Sequence, residues 1–206
     1  MAQVFPVCIN TFQISGGADK NVFYPQVMGL VNFPWQHTIN SAIAMETKKL
    51  MLMQMGNLPT TVDEMIGSYE IKNNQREVLS LSLSNYTYHY HAAHGMTYIK
   101  SLTFDMEKQK ICELKDLFKP GSDYVKRLSE LIHIQIKERD IQLLGEFTVI
   151  RPDQDYYIAD KALVIYFQLY EITPYSSGFP MFPISVYDLM DIINEDGPLG
   201  RMAVNR

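Results

Sequence analysis

Val78-Leu79-Ser80-Leu81-Ser82-Leu83-Ser84-Asn85-Tyr86-Thr87-Tyr88-His89-Tyr90 reads as one long strand. Side chains on a strand alternate between faces, so Leu79, Leu81 and Leu83 share one side and Ser80, Ser82 and Ser84 the other. That alternation makes the segment a half-buried antiparallel strand. Past Asn85, the aromatic residues Tyr86, Tyr88 and Tyr90 take the serine parity. The buried side is therefore expected to swap there, or the strand to bulge near Asn85.

The neighbouring segments fit an antiparallel sheet. Thr97 to Met106 returns as a partner strand, with Asp105 to Lys110 as a hairpin tip. Tyr69 to Lys72 precedes as a short strand, closed by a turn at Asn73-Asn74-Gln75. Further out, Val4 to Ile14 and Asn21 to Val31 are rich in strand formers and flank the turn Ser15-Gly16-Gly17-Ala18-Asp19. A helix is expected from Asn32-Phe33-Pro34 to about Met55. Asn32 is its cap, Ile39, Ala42, Ile43, Leu50 and Met53 form its stripe, and Gly56-Asn57-Leu58-Pro59 stops it.

Toward the C-terminus, Ser122-Asp123 starts a second helix carrying Val125, Leu128, Ile132 and Ile136. Phe147 to Ile150 suggests a short strand. Tyr156 to Ala159 and Ala162 to Tyr170 form a hairpin about Asp160-Lys161, and Phe182 to Ile184 is a final strand. Ser185-Val186-Tyr187-Asp188 resembles a capping box, predicting a last helix from Val186 to Ile193. From Asp196-Gly197-Pro198 the chain is expected to fray. Strands arrive in hairpins rather than βαβ units, so the expected class is α+β: an antiparallel β-sheet built from hairpins with about three α-helices packed on it.

The 206 residues suit one domain or two fused small ones, burying about 70% of the unfolded surface. Lys and Arg total 18 against 23 Asp and Glu, a net charge of −5. Such a chain lacks the basic face that phosphate-backbone binding needs, so no nucleic-acid partner is expected, and a charged partner would be basic. No apolar run is long enough to span a bilayer, and the N-terminus lacks the pattern of a secretory signal. As written, the chain reads as cytoplasmic or spore-associated, or as released by a non-standard route. Cys8 and Cys112 are expected to be free thiols.

No phosphate loop, dinucleotide fingerprint, nucleophile elbow or metalloprotease signature is present, so no enzyme activity and no cofactor are expected. His89-x-His91-x-x-His94 has metal-like spacing, and three imidazoles would make a zinc site with an open position. No Glu or Asp lies between Glu77 and Asp105 to support it, so solvent-facing or hydrogen-bonded histidines are the favoured reading.

Four strings occur in order: Tyr24-Pro25-Gln26-Val27 before the helix with Ile39-Asn40; Tyr86 to Gly95, ending Ala92-Ala93-His94-Gly95; Phe104-Asp105 followed by Leu114-Lys115-Asp116-Leu117-Phe118; and Leu163-Val164-Ile165-Tyr166-Phe167 through Tyr170-Glu171-Ile172-Thr173-Pro174-Tyr175-Ser176-Ser177-Gly178. Together they resemble the domain family at the C-terminus of the lysozyme-sensing anti-sigma factor RsiV, preceded by a piece like the N-terminal domain of the deacetylase PdaC. The resemblance divides the chain into a PdaC-like piece (1–62), an RsiV-like piece (63–200) and a tail (201–206), folded as one integrated unit. It implies an extracytoplasmic, non-catalytic binding module for a c-type lysozyme or a cell-wall component. It also suggests a second reading, a self-assembling, spore-associated homo-oligomer. A metalloenzyme built on the histidines ranks last.

The candidate binding surface joins two segments. Tyr86, Tyr88, Tyr90 and His94 come from the long strand and its turn. Tyr175, Ser176, Phe179 and Phe182 come from the proline-flanked loop, whose Tyr, Ser and Gly suit a recognition surface. Asp116 is expected to bond local backbone N–H groups, while Leu117 and Phe118 enter the core.

Overall fold

The computed structural model describes residues 7–204, so Val4 to Pro6 of the expected first strand and the last two residues lie outside the described residues. Strands β1 (Cys8–Ser15) and β2 (Lys20–Met28) form a hairpin that leads into helix α1 (Phe33–Met55). Strands β3 (Val62–Gln75), β4 (Val78–His89), β5 (Met96–Asp105) and β6 (Lys110–Ile111) follow. Helix α2 (Tyr124–Glu138) leads to β7 (Tyr156–Ala159), β8 (Ala162–Tyr166) and β9 (Met181–Ser185), and helix α3 (Pro198–Ala203) comes last.

The first six strands make one sheet in chain order and the last three make a second, giving an α+β fold. Pairing is antiparallel except between β2 and β3, which are parallel because α1 carries the chain back across the sheet between them. Residue 62 therefore lies inside the sheet, with strands from both sides of it hydrogen-bonded to each other.

Helix α1 forms where its caps dictate. The Asn32 side chain accepts from the Trp35 N–H at 3.0 Å, Pro34 occupies a position without a helical N–H bond, and Gly56 takes φ 56° just past the end. Trp35, Ile39 and Ile43 then cover Leu79, Leu81 and Leu83 of β4. Where β2 diverges from β3, side-chain amides take over the ladder. Asn40 accepts from the Val27 N–H and donates to its carbonyl, at 2.8 and 2.9 Å.

The serine side of β4 departs from the half-buried expectation, because Ser80 and Ser82 are buried as well. The second sheet lays its edge strand β7 over them. The Ile158 N–H donates to Ser80 Oγ at 3.0 Å, and the Ser101 hydroxyl donates to the Tyr156 carbonyl. Small hydroxyls thus complete the open backbone edge of β7.

Neither a swap nor a bulge occurs at Asn85: β4 and β5 pair without a shift from Val78 opposite Asp105 to Thr87 opposite Met96. The leucine face continues as Asn85 and Thr87, both buried. There, Gln54 at the end of α1 donates its amide to the carbonyls of Asn85 and Met96. The irregularities sit in β3, between Val62 and Glu64 and between Ile71 and Asn73. That strand also runs past the expected turn at Asn73 and reverses at Arg76-Glu77, where φ is 52° and 55°.

Three more expectations are corrected. Phe147 to Ile150 is not a strand. It is a loop segment pinned by the buried Phe147 and Ile150, the latter donating its N–H to Ser129 Oγ at 3.0 Å. Val186 to Ile193 is not an α-helix. It holds only a short 3₁₀ turn, Val186–Leu189, because Ile193 leaves to bridge Phe118 and Asn194 donates its N–H to the Leu117 carbonyl. The described chain after Asp196, residues 197–204, does not fray. Pro198 opens α3, Leu199 and Met202 are buried, and Arg201 pairs with the buried Asp105 at 2.7 Å. The Asp116 reading holds: its Oδ2 accepts from the Glu113 N–H at 2.9 Å, while Leu117 and Phe118 are buried.

Candidate aromatic recognition site

Beyond Ser84 the serine side of β4 emerges from under the second sheet, and Tyr86 and Tyr88 occupy it. The turn after β4 carries His94 and Gly95, and the loop between β8 and β9 carries Tyr170 and Tyr175. These two segments, 80 residues apart, are braced on one atom, the Gly95 carbonyl oxygen. It accepts from the Tyr175 hydroxyl at 3.1 Å and from His94 Nδ1–H at 2.9 Å. Because a carbonyl only accepts, Nδ1 must be the protonated nitrogen. In the neutral ring Nε2 then accepts from the Tyr170 hydroxyl at 3.2 Å.

The rings pile up accordingly. His94 and Tyr175 have centroids 4.4 Å apart, Tyr170 and Tyr175 5.5 Å, and His94 and Tyr170 6.3 Å. Tyr170 holds φ 65°, a left-handed conformation in which a bulky side chain is strained. Gly95 is required for a steric reason: a Cβ there would stand 2.2 Å from the Tyr86 ring. Burial pushes the Tyr86 phenol up, and the nearby Glu64, Tyr175 and Tyr88 push the same way. Glu64 is the cross-strand partner of Tyr88, and Ile66, which is 47% exposed, is the partner of Tyr86.

Beside this platform a groove of about 220 Å³ runs along the sheet, floored by Ser82, Ser84 and Thr97 and walled by Tyr157 and Phe179. A wider cleft of about 500 Å³ lies at Lys100, Tyr124 and Asp155, where the charges already pair, Lys100 with Asp155 at 2.7 Å.

The structure brings together Tyr86, Tyr88, His94 and Tyr175, and places Phe179 at the adjoining groove. Ser176 is exposed in a 3₁₀ turn next to them. Tyr90 is exposed one turn further on, against the His91 ring at 3.9 Å. Phe182 is a correction. It is fully buried in β9, edge-on to Phe167 at 5.7 Å, and belongs to the core rather than to any surface.

The three histidines diverge. His89 Nε2–H donates to the Gln54 carbonyl at 2.8 Å and closes the last turn of α1, His91 stacks on Tyr90, and His94 joins the platform. Among the described residues no group of three or more His, Cys, Asp or Glu side chains is placed to hold a metal. Sequence reasoning missed Tyr170 and Glu64 as members of the site. The first depends on a backbone conformation that composition does not announce, the second on cross-strand register.

Residues 115–187 match the family model for DUF3298, described as a protein of unknown function. That span holds Tyr170 and Tyr175, while Tyr86 and His94 precede it. The chain is also similar to the peptidoglycan-N-acetylmuramic acid deacetylase PdaC of Bacillus subtilis (strain 168), 26% identical over 143 residues, 66% of this chain. The match spans 30% of that protein's length. Two solved structures share the fold. A DUF3298 family member from Bacteroides fragilis NCTC 9343 has a TM-score of 0.71 at 12% identity, covering 98% of this chain and 99% of its own. A DUF3298 family protein from Pseudomonas aeruginosa PAO1 has a TM-score of 0.68 at 17% identity, covering 98% of each. The family model thus matches residues 115–187 alone, and the solved structures share the fold of the chain. No helix of the described residues is long and apolar enough to cross a membrane.

Proposed function

We propose that this chain is a non-catalytic recognition module, akin to the C-terminal region of RsiV, and that its aromatic platform docks a lysozyme-like protein. The observation that carries the reading is the ring stack of exposed His94 and Tyr170 with half-buried Tyr175, braced by hydrogen bonds. Tyrosine rings supply rigid contact area with little rotamer entropy to lose, and bracing them in advance lowers the cost of binding. The net charge of −5 favours association with a basic partner. The second reading, a cell-wall glycan, draws on the hydroxyl-floored groove beside the platform and on the peptidoglycan deacetylase relative.

Calorimetric titration with a c-type lysozyme at low and high salt tests the first reading, with an unrelated basic protein as control. Saturable heat that survives salt and is absent with the control supports it. Heat abolished by salt, or reproduced by the control, removes it. Soluble peptidoglycan fragments titrated in the same way test the second.

A further inference from the structure

Three segments build the platform and its rim: residues 62–70, 86–99 and 168–182. They contain Asp63, Glu64, Glu70 and Glu171 and no Lys or Arg. Two of these carboxylates are engaged, Glu171 by Arg151 and Glu70 by Lys72. Glu64 forms no ion pair among the described residues, and it stands opposite Tyr88, close enough to Tyr86 to oppose that phenol's ionisation. An uncompensated carboxylate therefore sits beside two electron-rich rings, Tyr88 and Tyr86, and Tyr86 in turn adjoins Tyr175 of the stack with His94 and Tyr170. The negative face of an aromatic ring attracts a cation, and a neighbouring carboxylate adds a charge-assisted hydrogen bond to one that lies flat on the ring.

We propose that this platform is a seat for a cationic side chain, the guanidinium of an arginine or the ammonium of a lysine, presented by a basic protein partner. The inference rests on the protein-recognition reading above and names the chemical group that reading must engage. Tyr86 and Tyr175 supply the ring faces, Glu64 beside Tyr86 the counter-charge, and the Gly95 carbonyl fixes Tyr175 and His94 so that the seat is formed before the partner arrives. The adjoining groove shares Tyr69, Thr97 and Phe179 with these segments but already holds a cation, Lys72, over the Tyr157 ring and paired with Glu70, and it takes no part.

The test separates this inference from the identity of the partner. A Gly-Arg-Gly-Arg-Gly peptide and its citrulline counterpart, which keeps the shape and loses the charge, are titrated while the His94 and Tyr175 ring resonances are followed by NMR. A lysine version compares ammonium with guanidinium. The expected result is saturable shifts at those rings with arginine, no comparable shifts with citrulline, and affinity about tenfold weaker in Tyr175→Leu and in Glu64→Gln. Tyr175→Phe keeps the ring and is expected to stay within about threefold of wild type. Melting temperatures of all three variants serve as the folding control. Equal shifts from arginine and citrulline, or full affinity in Glu64→Gln and Tyr175→Leu, would overturn the inference. If lysozyme fails to bind while arginine peptides still do, the cation seat stands and the lysozyme reading falls.

Discussion

The two halves of β4 share one backbone ladder and opposite fates. From Val78 to Leu83 every residue is buried, leucines beneath α1 and serines beneath the second sheet. From Ser84 to His89 the same outer face is only half-buried and carries Tyr86 and Tyr88. The covered half uses small hydroxyls because a backbone edge must approach closely. The open half carries large rings, against which only the turn at Gly95 and the loop at Tyr175 come to rest. The Ser-to-Tyr change along one strand thus marks where packing ends and a surface begins.

The largest expected effect lies in the core that the second sheet shares with α2. Phe182→Ala removes a fully buried ring against Phe167 and should cost about 3–5 kcal/mol of stability, read by chemical denaturation. A near-neutral effect would mean that Phe182 belongs to the surface after all. At the boundary, Gly95→Ala drives a methyl toward the Tyr86 ring and should cost about 1–3 kcal/mol while displacing that ring, visible in its NMR signals. Unmoved Tyr86 resonances would show that the glycine is not required by contact.

A chemical probe sharpens the contrast. Burial first, and Asp105 next, push the Cys112 thiol up from 9.0 to about 11. In native protein at pH 8, iodoacetamide should therefore modify the exposed Cys8 and spare Cys112 until the chain unfolds. Because the folded thiol holds its proton longer than the unfolded one, its contribution to stability is intact below pH 9.0 and declines as pH rises toward about 11. Equal labelling of both cysteines by mass spectrometry would contradict this.

Much of the fold was legible because local signals agreed with it. The cap at Asn32, the stop at Gly56 and the leucine alternation each named a boundary or a face, and all three hold. What stayed hidden was non-local. The serine parity of β4 reads the same whether water or a second sheet covers it, and only β7, 78 residues away at Ile158, decides. Likewise the Ser185 box did not make a helix. Its hydroxyl accepts from Tyr187 at 3.3 Å, and a bridge to Phe118 takes the chain elsewhere. At the site, the aromatic pairing of Tyr175 with the His94 turn was visible as two Tyr-rich segments. Tyr170 and Glu64 entered through backbone conformation and register.

The most direct measurement pairs one variant in the covered half of β4's outer face, Ser80→Ala, with one in the loop beside its open half, Tyr175→Ala, and reads melting temperature and lysozyme affinity for both. Ser80→Ala leaves the Ile158 N–H without its acceptor and should cost about 1–3 kcal/mol of stability while leaving affinity unchanged. Tyr175→Ala should weaken binding about tenfold or more with at most about 0.5 kcal/mol lost in stability. Both variants losing stability alone, with affinity intact in each, would contradict the claim that the open half of this face is a recognition surface.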